Sequence, residues 1–537
     1  MGYNLFTEWA YLFTYLHIIL AALLPIYTGA HASLRCPSSA KAPEKKAKGQ
    51  GIYDDDDELD EYVPEIQSLR PSHAITFPIT AGLVLGSLYI IIKWLEDPKI
   101  LVRILNWYFS GVGILGAGEL AVDFLNLITT FIFPTVWSTK KEVYFIDSIH
   151  SSQLKVSSLQ PTDRKLVEDK NNPFPGFMSS IRFPTWIDSK IWSVRNLFKN
   201  YLVFRGYIKD FLHTVKPVRL NDVIGFIFGF IVIFLYNFLI RPWWLTNLIG
   251  FGFCYGTLQL ISPTTFWTGS LVLFGLFVYD ITMVFYTPLM ITVASSLDVP
   301  IKLVFPGPKK NSMLGLGDVI LPGIMIALAL RFDLYLHYYK KQKPVASNQG
   351  SGKNEVIKSE YIEPTGVWGE RFWTSSLESK TLYNTVADGA RFNKVYFWAG
   401  IISYVVGLIL TLMVLHLSNH AQPALLYLVP TVLIGLWGTA LIKGDITLMW
   451  KYNEDIDSEI ESHIDRNDKK DSSLDQIDEK IELKEKEQTT KNDKDNTKVS
   501  AINKIKLNEK EDHKIFLFSL AIPQKRVEKI PGSKKLD

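Results

Sequence analysis

The segments LVLFGLFVYDITMVFY (271–286) and LGLGDVILPGIMIALAL (314–330) decide how this chain is read. Each belongs to an apolar run of about twenty residues, enough to cross roughly 30 Å of hydrocarbon as a helix. Each also carries one aspartate, Asp280 in the first and Asp318 in the second. A carboxylate inside a bilayer costs about 2.5 kcal/mol or more, so such groups face a bundle interior or a water-filled cavity and mark functional sites. Two of them on consecutive spans, one preceded by Tyr279 and the other by Gly315-Leu316-Gly317, are the lead.

Working outward, similar apolar runs lie near 11–29, 74–95, 104–133, 221–240, 243–262, 265–287, 314–338, 396–417 and 423–441. The ten-residue alternation of a membrane barrel is missing, and lipid tolerates only barrels or helices. The expected fold is therefore all-α, a polytopic membrane protein of about nine transmembrane helices. Trp94, Trp107, Trp137, Trp243, Trp244 and Tyr338 fall near span ends, where aromatic rings prefer the interface. Ala30-His31-Ala32 resembles a signal-peptide cleavage site, but the preceding stretch holds Glu8 and no Lys or Arg, which argues for a retained first span.

Composition excludes several classes. With only Cys36 and Cys254 there is no disulfide framework and no thiolate metal site. The histidines lack zinc-ligand spacing, so no metal is expected. A formal charge of +3 over 537 residues gives no electrostatic footprint for nucleic acid.

The polar connectors 30–73, 138–220 and 339–395 are long and rich in Lys and Arg, whereas those between them are short and carry few. The positive-inside rule puts the long connectors in the cytosol, hence the N-terminus in the lumen and the C-terminus in the cytosol. Residues 35–70, with the acidic run 54–58, residues 342–365 and the tail from about 451 are too polar to build packed cores. Connector 138–220 differs: it holds Phe174, Phe183, Trp186 and Trp192 and reads as a small cytosolic cap or a membrane-surface segment.

Two carboxylates held close in a low dielectric cannot both ionise cheaply, so they keep one proton between them. One then acts as base toward water while its protonated partner donates to an amide carbonyl. Asp280 lies eight residues before Pro288, about 12 Å at the helical rise, and Asp318 a comparable distance after the 306–311 loop. Antiparallel neighbours would thus carry the acids at similar depth. Gly315 and Gly317 either permit close helix packing or leave room for water and substrate beside Asp318. Pro423 at the start of the last span is ordinary helix chemistry. Glu119 and Asp123, four apart, share one helix face. With the two aspartates they would suit a proton- or cation-coupled transporter or leak channel, the alternative to a peptidase. A pseudoprotease is disfavoured because both acids are intact.

Tyr279-Asp280, Gly315-Leu316-Gly317-Asp318 and Pro423-Ala424-Leu425, in this order on late spans, resemble the signal peptide peptidase and presenilin type of intramembrane aspartyl protease. The flanking Gly317–Gly323, Arg331-Phe332-Asp333 and Gln422–Pro430 narrow the resemblance to the signal peptide peptidase branch. It is strong over 221–443, vaguer over 74–137, and absent from 138–220, 342–390 and the tail. The resemblance implies catalysis by Asp280 and Asp318, with Tyr279, Gly315 and Gly317 shaping the site and Pro423, Ala424 and Leu425 bordering it and holding substrate. It implies no cofactor. Its partners would be type II transmembrane helices, such as remnant signal peptides, the lipid bilayer, and quality-control factors of the endoplasmic reticulum. Lys534 and Lys535, four and three places from the C-terminus, resemble a dilysine retrieval signal for that membrane.

The expected organisation is a membrane region over 1–220 with about three spans, a catalytic membrane core over 221–443 with about six, and a largely disordered cytosolic tail over 444–537. Unwinding a helix in lipid leaves backbone groups unpaired, so the enzyme must offer replacement hydrogen bonds. Segment 288–316 or the 418–425 turn is the expected place for such an edge.

Overall fold

Long apolar runs without water to satisfy the backbone form helices, and the computed structural model contains them where hydropathy puts them. It describes residues 3–41, 67–95, 99–140, 142–148, 151–156, 164–166, 172–208, 212–239, 241–287, 293, 302–307, 312–345, 355–361, 368–374, 392–418, 422–454 and 516–521. The acidic run 54–58, Pro288, most of the tail and the terminal lysines lie outside the described residues.

The long helices are α1 (Tyr3–Ala32), α2 (His73–Trp94), α3 (Lys99–Ile132), α5 (Leu220–Phe238), α6 (Trp243–Leu260), α7 (Phe266–Phe285), α8 (Leu316–Tyr339), α10 (Val395–Ser418) and α11 (Leu425–Lys443). Shorter helices are α4 (Thr185–Lys199), α9 (Trp368–Thr374) and α12 (Ile446–Lys451). Among the described residues, eight helices are long and apolar enough to cross a membrane. The ninth expected span, α6, forms a helix but falls short of that hydropathy. Its Thr246, Asn247, Gln259 and three glycines are tolerated because it packs against α1, α3 and α8 rather than facing lipid.

One compact unit comprises residues 1–44, 65–196 and 221–455. At its centre stands α8, 83% buried over its most apolar 18 residues, with α1, α6, α7, α10 and α11 around it. At the periphery α2 has no buried residue and presents its apolar surface outward, as a lipid-facing helix should. Where α3 and α6 cross, Gly116 meets Gly252 so closely that a Cβ on Gly252 would stand 2.7 Å from the Ala117 amide nitrogen. Such backbone contact is how helices associate in lipid, where burying apolar surface brings no gain.

Connector 138–220 is more regular than its composition suggests. Strands β2 (Val136–Ser138), β3 (Val143–Asp147), β4 (Ser152–Val156) and β5 (Arg164–Leu166) form an antiparallel sheet in chain order. Its core stacks Trp137 on Tyr144 and includes Trp192 of α4; Trp137 Nε1 donates to Gln153 Oε1 at 3.0 Å. The 339–395 insert contributes α9, which packs on α3 and β2, with Trp373 Nε1 donating to the Phe131 carbonyl at 2.8 Å. Both inserts therefore carry regular structure, built on aromatic residues placed at strand and helix ends.

A second unit comprises residues 45–64, 197–220 and 456–537. Within it β6 (Tyr201–Ile208) and β7 (Leu212–Arg219) form a hairpin, and β13 (Phe516–Ala521) pairs antiparallel with β6, Phe516 opposite Ile208. The tail thus contributes a strand, an element its charged composition conceals.

Three short sheets complete the larger unit. Strand β1 (Gln67–Leu69) runs parallel to β8 (Ile261–Pro263). Strand β9 (Lys302–Phe305) forms an antiparallel hairpin with β10 (Ser312–Gly315), and β11 (Lys343–Val345) does so with β12 (Glu355–Ile357).

Candidate active site

Asp280 sits five residues before the end of α7 and is 5% exposed, while Asp318 lies in the first turn of α8. The two helices pack together. The residues before Asp318 are not helical, because β10 holds Ser312–Gly315 extended and α8 begins only at Leu316.

The third component is the start of α11. Pro423 is buried and has no N–H to satisfy, and Leu425 opens the helix with an amide lacking an intrahelical acceptor. That amide donates to Asp280 Oδ2 at 3.1 Å. Proline at this helix start, uninformative when read in sequence, thus precedes a helix whose first N–H grips one of the acids. The starts of α8 and α11 both lie at the pair, and helix N-termini favour negative charge nearby. From α10, Tyr404 donates its hydroxyl to the Asp318 backbone carbonyl at 3.3 Å, holding that turn in place.

The two glycines have different surroundings. A Cβ on Gly315 would stand 3.3 Å from Asp318 Oδ2 and crowd the carboxylate. A Cβ on Gly317 would meet nothing within 4 Å. Close packing therefore explains neither glycine here: one protects the acid's room, the other faces open space. Tyr279 turns the other way and lines an apolar cavity of about 540 Å³ between α2, α7 and α8, with Phe77, Val84, Leu276, Ile320 and Ile324.

The hairpin ahead of Asp318 has one edge occupied. Asn247 of α6 bonds both backbone groups of Val304, accepting from its N–H at 2.7 Å and donating to its carbonyl at 2.9 Å. The β9 side is thereby closed by a side chain that mimics a strand. Strand β10 has its other edge without a strand partner among the described residues, and Met313 on it is exposed.

Glu119 and Asp123 do not join this group. They point from α3 to α6, where Tyr255 donates its hydroxyl to Asp123 and Glu119 Oε2 lies 3.9 Å from where a Cβ of Gly256 would be. The four-acid relay of a transporter is not assembled.

Two charged residues of the flanking motif, Arg331 and Asp333, have defined partners. Asp333 accepts from the backbone N–H groups of Tyr396 at 3.2 Å and Phe397 at 2.8 Å, capping α10 from a neighbouring helix. Arg331, 4% exposed, donates to Glu454 Oε1 and to Ser33 Oγ, both at 2.7 Å, and to Ser262 Oγ at 2.8 Å. Glu454 also pairs with Arg35 and accepts from Ser262 and from Tyr452, the last at 3.0 Å. Burial alone would raise the Glu454 carboxyl; Arg331 and Arg35 overcome this and hold it below the usual carboxylate range.

Comparison with known proteins agrees with this architecture. The family described as Signal peptide peptidase matches residues 62–456, well over half of the chain. Signal peptide peptidase of Homo sapiens is 28% identical over 445 residues, covering 81% of this chain and 82% of its own. Intramembrane protease 2 of Caenorhabditis elegans is 34% identical over 223 residues, 40% of this chain and 39% of that one. A probable intramembrane protease of Saccharomyces cerevisiae is 25% identical over 414 residues, 71% and 60% of the respective chains.

Proposed function

The chain belongs to the signal peptide peptidase family, and from that premise we propose that Asp280 and Asp318 are the catalytic pair of an enzyme that cuts type II transmembrane helices. As a member of this family it is an intramembrane aspartic endopeptidase. The observation that carries the residue assignment is the meeting of three helix ends: Asp280 on α7, Asp318 at the start of α8, and the Leu425 amide at the start of α11 bonded to Asp280.

In this reading the pair shares one proton. The ionised carboxylate takes a proton from water as that water attacks the scissile carbonyl carbon, and the protonated partner donates to the carbonyl oxygen. Collapse of the gem-diol expels the amine, which takes up a proton, and the dyad returns to its starting state. The Leu425 N–H holds Asp280 in place, Gly315 keeps space around Asp318, and the open side at Gly317 admits substrate backbone. Pro423 and Ala424 set the helix start that aims the Leu425 amide. Tyr279 borders the apolar cavity, which would take substrate side chains. The free edge of β10, three residues from Asp318, would pair with the unwound stretch of substrate and replace its lost helical hydrogen bonds.

The substrates proposed are type II transmembrane segments, including remnant signal peptides. The setting is the endoplasmic reticulum membrane with a lumenal N-terminus and a cytosolic C-terminus, where the enzyme would act in membrane-protein turnover with quality-control factors. The charge bias of the connectors supports this placement.

The test is cleavage of a helical type II transmembrane peptide by purified protein, with fragments identified by mass. Wild type is expected to cut it, faster when a helix breaker flanks the cut site, and Asp280→Asn and Asp318→Ala are expected not to. Cleavage by either variant overturns the assignment; equal rates with and without the helix breaker overturn strand pairing.

A further inference from the structure

At the end of the bundle away from the acid pair, the last turn of α8, the start of α10 and the end of α11 surround a cavity of about 390 Å³. Three lysines line it: Lys340 and Lys341 just past α8, and Lys443, the last residue of α11. Two acids also line it, and both are engaged. Asp333 spends its two oxygens on the α10 backbone amides, and Asp445 Oδ2 accepts the Tyr396 hydroxyl at 3.1 Å. Asn393, exposed at the rim, adds an amide.

We propose that this cavity binds the phosphate-bearing headgroup of an anionic phospholipid. Lysines at the ends of membrane helices commonly splay into the headgroup layer as anchors. Here three from two separate helices converge on one concave space, beside acids already occupied by other donors. A cavity at the ends of three spans lies at the level of the lipid headgroups, so its neighbouring anion is a lipid phosphate, and basic pockets between membrane helices select such groups. A bound headgroup would tie α8, the helix that carries Asp318, to α10 and α11. The inference stands on the membrane architecture and is independent of how the acid pair is read.

The experiment uses the full chain in phosphatidylcholine nanodiscs doped with phosphatidic acid, with lipids retained on the released protein counted by native mass spectrometry. Wild type is expected to retain phosphatidic acid over phosphatidylcholine, and each lysine changed to glutamine to lower that preference about fivefold. Lys340→Arg, Lys341→Arg and Lys443→Arg together should keep it. A photoactivatable phosphatidic acid is expected to label the α8 and α11 ends, and excess inorganic phosphate to leave that labelling unchanged. Equal retention by wild type and the triple glutamine variant, labelling elsewhere on the chain, or loss of labelling to free phosphate would each overturn the proposal.

Discussion

The two ends of α8 have opposite polar economies. At its start Asp318 faces the helix that carries Asp280, next to a glycine that faces empty space, with few side-chain partners among the described residues. Toward its other end, about four turns on, Arg331 has three side-chain acceptors and Asp333 has two backbone donors. Fully bonded buried charges define one arrangement of the elements they join, whereas sparsely bonded ones keep their reactivity. The comparison teaches a division of labour within one helix. The saturated end fixes its position against α1, β8, α10 and the segment after α12, and the sparse end receives the benefit of that placement.

The largest effect should come from the sparse end. Asp280→Asn, Asp318→Asn and the double variant are each expected to lose about 10⁴-fold in kcat/KM or fall to background, because groups acting as a unit are not additive. Melting temperatures should stay near or above wild type. A double variant far slower than both singles would separate the two acids.

The saturated end should behave inversely. Arg331→Met leaves Glu454 buried with only Arg35 as its charge partner, and breaking such a pair costs about 3–5 kcal/mol of stability. Asp333→Ala strips the cap from α10 and should cost about 1–2 kcal/mol. Thermal unfolding in detergent measures both, and unchanged stability in either would remove the anchor from the account.

Two finer tests sharpen the contrast. Gly317→Ala should leave stability within about 0.5 kcal/mol and raise KM, since nothing in the protein opposes the new methyl. Gly315→Ala should instead lower kcat by crowding the Asp318 carboxylate. The smallest effect concerns pH. Glu454 is held below the ordinary carboxylate value, so its contribution is complete above about pH 5 and fades as pH falls through its lower folded value. The stability gap between wild type and Glu454→Gln should therefore narrow on acidification, as followed by melting temperature against pH.

The membrane helices were legible because about twenty apolar residues in a row admit few other structures. The two aspartates were legible because charge is rare there. What escaped notice depends on partners distant in sequence. Arg331 and Glu454 are 123 residues apart, and the Leu425 amide reaches back 145 residues to Asp280. The need of an unwound substrate for an edge points to 288–316 or the 418–425 turn without choosing between them. The limits of the first, β9 and β10, and its closure on one side by Asn247, follow from contacts that no local pattern records. Strand β13 escaped because six residues, five of them apolar, are a weak signal within a charged tail.

The central claim is that two carboxylates share one proton and work together on water and carbonyl. It is tested most directly by the pH dependence of kcat/KM on a transmembrane peptide, over a range in which the protein stays folded. Two ionisations should bound a bell, activity falling both where the pair gains a second proton and where it loses its only one. A profile that rises through a single ionisation and then stays level at high pH would contradict the account.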